Sequence, residues 1–171
     1  MVSKKLSKIL LIIYLLLLIW ILLFKFSLSF SDIAARIAHP IRSVNLIPFQ
    51  GSAVVDGKIV LNEIILNGII FIPLGVLLGI SAKNLPFIKK SMFIFTFSLT
   101  IEVLQFLLGI GVTDVTDLLM NFSGGFLGLC VYHGLTRVIP EIKVDKGLII
   151  IGMVMGVFYL GMILRMFFFP H

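Results

Sequence analysis

"IEVLQFLLGIGVTDVTDLLMNFSGG", residues 101–125, sets a glutamate, a glutamine, two aspartates and an asparagine inside or beside strongly apolar runs. The surroundings decide what those residues cost. The chain has 171 residues and is 60% hydrophobic, whereas a soluble domain is about half apolar. The excess is gathered in blocks of about 20 residues, the length that crosses a hydrocarbon core of about 30 Å. Glu102 and Asp117 therefore sit where a carboxylate costs about 2.5–3.5 kcal/mol at the bilayer centre and less toward its edge.

Working outward from this stretch, five spans are expected: 7–26, 64–82, 91–110, 117–136 and 147–169. The predicted architecture is an all-α, polytopic membrane bundle of about five helices. It forms a single integral membrane domain, 1–171, with an extracellular loop between the first and second spans. The first apolar run is too long for a signal-peptide core and lacks a small-residue cleavage site directly after it, so it reads as a retained span. The net charge of +6 accompanies no basic–aromatic stripe and no nucleic-acid motif, so nucleic acid is not an expected partner. Cys130, the single cysteine, excludes an internal disulfide and reads as a packing residue in the fourth span.

Lysine and arginine set the expected orientation. Nine lie on one side: Lys4, Lys5, Lys8, Lys83, Lys89, Lys90, Arg137, Lys143 and Lys146. Five lie on the other: Lys25, Arg36, Arg42, Lys58 and Arg165. The N-terminus is expected in the cytoplasm and the C-terminus outside, in a multi-pass plasma-membrane protein. The connection 111–116 is then an external loop. The longer loop after the first span mixes apolar residues with Arg36 and Arg42, which suits a short surface helix. "VVDGKIV", 54–60, suits a hairpin with Asp56–Gly57 at its tip. Gly75 and Gly79, Gly124 and Gly128, and Gly152 and Gly156 are four apart, a spacing that lets helices approach closely in lipid. Those faces leave a homo-oligomer open.

On this orientation the polar residues share a depth. Glu102 lies eight residues before the end of its span, about 12 Å at 1.5 Å per residue. Gln105 is on the same face one turn higher, and Asp117 and Asn121 share a face at i, i+4. Asn67 lies one turn into the second span, ahead of Pro73, whose missing N–H leaves a carbonyl unbonded. Three helices thus bring Asn67, Glu102, Gln105, Asp117 and Asn121 to the outer third, while the inner half holds almost nothing polar. An outward-facing polar pocket is expected. Glu102 needs a protonated state, amide partners such as Asn67 or Asn121, or a loop cation, with Arg42 first and Lys58 second. The plainer alternative is that these residues hydrogen-bond helices together, with Asp117 as a helix N-cap. A divalent cation on Glu102, Asp114 and Asp117 is a minor alternative; no metal and no cofactor are expected.

The same residues carry a resemblance. "NLIPF" at 45–49, "NGIIFIPLGVLLG" at 67–79, "IEVLQ" at 101–105 and "DVTDLLMNFSGGFLG" at 114–128 resemble, in order and spacing, the VanZ-like family of bacterial membrane proteins. The resemblance covers a core of about 45–128. It implies that Asn45, Pro48, Phe49, Asn67, Glu102, Gln105, Asp117 and Asn121 occupy motif positions. It also implies a role at the cell envelope, since the founding member is associated with teicoplanin resistance and little with vancomycin. Many members carry an arginine just before the first aspartate of the last block, where this chain has Gly111 nearby.

The expected function is binding of a lipid or lipid-linked cell-wall precursor headgroup in that pocket, through Asn45, Asn67, Glu102, Gln105, Asp117, Asn121 and Arg42, with an effect on teicoplanin susceptibility. The alternative is a membrane-embedded hydrolase or transferase on a lipid-linked substrate, with Glu102 and Asp117 as an acid–base pair. Loop 27–63 is expected to fold over the pocket, because Asn45, Pro48 and Phe49 have no role in a free loop.

Overall fold

The computed structural model describes residues 4–24, 41–49, 54–55, 58–59 and 61–168. Five helices account for most of them: α1 (Lys4–Phe24), α2 (Leu61–Ser81), α3 (Phe87–Leu108), α4 (Val115–Val138) and α5 (Glu141–Phe168). Four, α1 to α4, are long and apolar enough to cross a membrane. The fifth expected span is also helical and begins six residues earlier than predicted, at Glu141.

The tightest packing is between α2 and α4, and glycine makes it. A Cβ on Gly124 would stand 1.9 Å from the Gly68 carbonyl oxygen, and one on Gly75 2.0 Å from that of Gly125. One on Gly128 would stand 2.1 Å from the Ile72 oxygen. Backbones this close exchange dispersion contacts along their length, the main source of helix association in lipid. Gly79 does the same job against the Tyr132 ring. Gly152 and Gly156 on α5 meet nothing within 4 Å among the described residues. The core joins all four spans: Leu18 and Leu22 from α1, Phe71 and Leu74 from α2, Ile94 and Ile101 from α3, and Leu129 from α4. Tyr14 on α1 donates to the Ile70 carbonyl at 2.6 Å, in the turn that Pro73 loosens.

Contacts define the two ends of the bundle. At one end the Ser81 hydroxyl donates to the Ser7 carbonyl, 2.9 Å, and Lys83 pairs with Glu141 and Asp145. This gathers the N-terminal, 82–86 and 139–141 segments on one side, as the charge count groups them. At the other end Gln105 Nε2 donates to the Leu22 carbonyl, 2.9 Å. Cys130 is exposed on α4, on the surface offered to lipid, rather than packed between helices as expected.

The second end also holds extended chain, of which only the 54–60 hairpin was expected. β1 (Ile41–Asn45) and β4 (Ile110–Asp114) form a parallel pair, from Ile41 opposite Ile110 to Asn45 opposite Asp114. Val54–Val55 (β2) pairs antiparallel with Lys58–Ile59 (β3), the expected hairpin. Its tip lies outside the described residues, as do 26–40 of the stretch 26–49 expected to hold a surface helix; its remainder, 41–49, is strand and turn instead.

The direction of β4 settles its depth. Gly109, in the left-handed region at φ 65°, caps α3 and turns the chain back, a conformation that suits glycine. β4 then runs down the side of α3. The Thr113 hydroxyl donates to the Glu102 carbonyl at 3.0 Å. The Asp114 N–H donates to Glu102 Oε2 at 3.1 Å. Residue 114 is therefore level with residue 102, six residues or about 9 Å below the end of α3. The connection 111–116 is a re-entrant ribbon, not a loop outside the bundle. β1, parallel to it, re-enters alongside.

Candidate functional site

At the foot of the ribbon the chain changes from strand to helix, and Asp114 makes the junction. As the N-cap of α4 it accepts from the Thr116 N–H through Oδ1, 2.8 Å. Its Oδ2 accepts from Asn45 Nδ2 at 3.2 Å. Asp114 is 1% exposed and Glu102 3%. In an ordinary capping box the acid three residues after the cap would accept from the cap's own N–H. Glu102 takes that N–H here, which leaves Asp117 to accept from Asn67 Nδ2 on α2. Asp117, for which an N-cap was the plainer alternative, thus lies in the first turn, where its charge still favours the helix N-terminus.

"NLIPF" is the other half of this junction. Asn45 Oδ1 accepts from the Ile47 N–H at 3.2 Å, an Asx-type turn that ends β1. Phe49 adopts φ 61°, a left-handed conformation costly for any residue but glycine. Its N–H donates to the Thr116 hydroxyl at 2.9 Å, and that bond offsets part of the strain. Segment 41–49 therefore folds back onto α4, as its motif residues suggested.

The expected residues come together as separate pairs rather than one cluster. Asn45 meets Asp114, Asp114 meets Glu102, and Asn67 meets Asp117. Asn121, fully buried, reaches one turn deeper and donates to Ser98 Oγ at 3.0 Å. Gln105 turns to α1. Glu102 Oε2 accepts the Asp114 backbone N–H. Arg42 is exposed on β1. The ladder sets Arg42 opposite Gly111. Among the described residues no three His, Cys, Asp or Glu side chains are placed to hold a metal ion.

Two acceptors are left over. Gln105 Oε1 and Asn121 Oδ1 are buried without a hydrogen-bond partner among the described residues. Such an atom costs about 1–3 kcal/mol unless a donor reaches it. Exchanging the two ends of the Asn121 amide would leave its NH₂ short of a partner instead, because Ser98 can serve only one end.

Sequence reading missed three participants. Asp114 was considered only as a cation ligand, although an Asp two residues before a Thr at the start of an apolar run is a cap signal. Thr116 and Ser98 carry no signal, since their partners are remote in sequence. It also missed a polar cluster at the opposite end, in the half expected to be apolar. There Asp145, nearly buried, joins Lys83 to the Tyr132 hydroxyl, which donates at 3.0 Å.

Buried carboxylates beneath a re-entrant ribbon, in a bundle of apolar helices, define a small multi-span membrane protein with a polar centre at one end. Extended backbone at membrane depth is tolerated where protein or a polar cavity satisfies it, and here the ladder and Glu102 do so. The family model described as VanZ/LLP1 matches residues 11–139, wider than the motif core. "Protein VanZ" of Enterococcus faecium is 40% identical over 158 residues, 92% of each chain. The chain belongs to the VanZ/LLP1 family. No solved structure matches it.

Proposed function

We propose that the polar centre beneath the β1–β4 ribbon binds the headgroup of a lipid or lipid-linked cell-wall precursor, at the outer face of the plasma membrane, and so affects teicoplanin susceptibility. The carrying observation is two buried acceptors, Gln105 Oε1 and Asn121 Oδ1, without donors among the described residues. They suit a ligand rich in hydroxyl or amide N–H groups, as sugar–peptide headgroups are. Asn45, Asn67, Glu102, Asp117 and Arg42 complete the proposed contacts. The positive-inside count supports the ribbon end facing outward, with the N-terminus in the cytoplasm.

The test is drug susceptibility in a Gram-positive host lacking any VanZ-like protein. Wild type, Glu102→Gln and Asp117→Asn are expressed at equal membrane levels and challenged with teicoplanin and vancomycin. Teicoplanin tolerance raised by the wild type and lost in both variants is expected. Tolerance equal in all three removes the polar centre from the function.

A further inference from the structure

The tip of the re-entrant ribbon is apolar and uncovered. Leu46 is 75% exposed and Ile47 59%, with Val44 and Phe49 each about half exposed. An isolated exposed leucine means little, but four large apolar residues within six positions form a patch that calls for a partner. Their depth identifies it. The Phe49 N–H is held at Thr116, in the first turn of α4, and residue 114 is level with Glu102. The tip thus stands about two helical turns below the end of α3, against the flank of a membrane-spanning bundle. The neighbouring helix surface at that level is apolar too: Ile65, Leu66 and Ile69 of α2 and Leu119 of α4 are exposed.

Polarity along β1 follows the bilayer. The ladder places Arg42 opposite Gly111, nearer the end of the bundle, and Asn45 opposite Asp114, deeper in. The one exposed cation of the strand lies toward the end of the bundle, and the apolar residues follow deeper along the chain. A guanidinium at headgroup height above a buried apolar tip is the arrangement of an interfacial anchor.

We propose that residues 44–49 form a wedge seated among the acyl chains of the leaflet at the ribbon end, with Arg42 at its phosphates. The wedge brings lipid to within one hydrogen bond of Asp114 and Thr116. Resting on the headgroup-binding reading above, this makes the ligand a membrane-resident amphiphile that enters sideways from the leaflet.

The test uses the full chain in nanodiscs of phosphatidylcholine and phosphatidylglycerol, where both faces are accessible and orientation does not matter. Trp20, the only tryptophan, is exposed on α1 and serves in the wild type as a lipid-facing benchmark. It is then replaced by Trp20→Phe, and Leu46→Trp or Ile47→Trp is added, each apolar for apolar at an exposed site. With lipids brominated at the sixth and seventh acyl carbons, both variants are expected to lose most of their emission, as the benchmark does. Acrylamide is expected to leave it nearly unchanged. Quenching by acrylamide with none by bromolipid at both sites overturns the wedge, placing the tip in water. Quenching by neither also overturns it, placing the tip against protein. Either result leaves the susceptibility test of Glu102 and Asp117 standing, and loss of that phenotype effect leaves the wedge standing.

Discussion

The Asp114 N–H donates to Glu102 Oε2 at 3.1 Å, and this bond ties the start of α4 to the middle of α3. It lets a helix begin inside the membrane, because the cap's own donor finds an acceptor without water. Replacing Glu102 by leucine removes that acceptor and leaves a buried N–H unpaired, at a cost of about 1–3 kcal/mol. Glu102→Gln keeps a carbonyl oxygen and is expected to cost less. Thermal unfolding in detergent should rank wild type, Gln, then Leu; a Leu variant as stable as wild type contradicts the junction.

Glycine contact on α2 and α4 predicts a contrast between sites. Gly124→Ala would place a methyl 1.9 Å from the Gly68 oxygen, forcing the helices apart at a cost of about 1–3 kcal/mol or more. Gly152→Ala meets nothing within 4 Å among the described residues and is expected to be neutral or stabilising by up to about 1 kcal/mol through helix propensity. Expression yield and melting temperature of the two variants check this.

The Phe49 N–H is held by the Thr116 hydroxyl. Thr116→Val keeps the shape but removes the acceptor of the Phe49 N–H, while Thr116→Ser keeps it. Val is expected to free the Phe49 amide for hydrogen exchange, and Ser is not. Equal protection in the two variants would mean the strained Phe49 turn is held by something else.

Lys83 carries a pH prediction. Burial acts to lower its pKa, but its hydrogen bonds to Asp145 and Glu141 outweigh that and hold it above the ordinary lysine value of 10.5. A group whose folded pKa is raised stabilises fully below its unfolded pKa and loses that contribution as pH climbs through the folded value. The stability difference between wild type and Lys83→Met should therefore be constant from about pH 7 to pH 10 and shrink only in stronger alkali. Because Lys83 is more than a third exposed, solvent screening keeps the difference to about 1–2 kcal/mol, mostly the cost of leaving Asp145 unpaired. A difference that falls between pH 7 and pH 9 would contradict the pairing.

The spans, the small-residue faces of α2 and α4, and the positions of polar residues were determined by sequence alone, because each follows from a local rule. A 20-residue apolar run must be helical in lipid, and a rise of 1.5 Å per residue converts position into depth. That is why Asn67 and Asp117 were expected at one level, and their side chains meet. What those residues do there was decided only by tertiary structure. Asn45 and Asp114 are 69 residues apart, and no local pattern marks two short segments as strands of one ladder. "GIGVTD" has the composition of a loop until β1 pairs with it. Asp114, not Asp117, became the cap because Glu102 arrived to take its N–H. Lys83 reads only as a topology charge until α5 folds against α4 and brings Asp145 to it. Local periodicity fixes which elements form and how deep they lie. The partner of a buried hydrogen-bonding group is fixed by which distant backbone comes beside it, and only the folded chain contains that information.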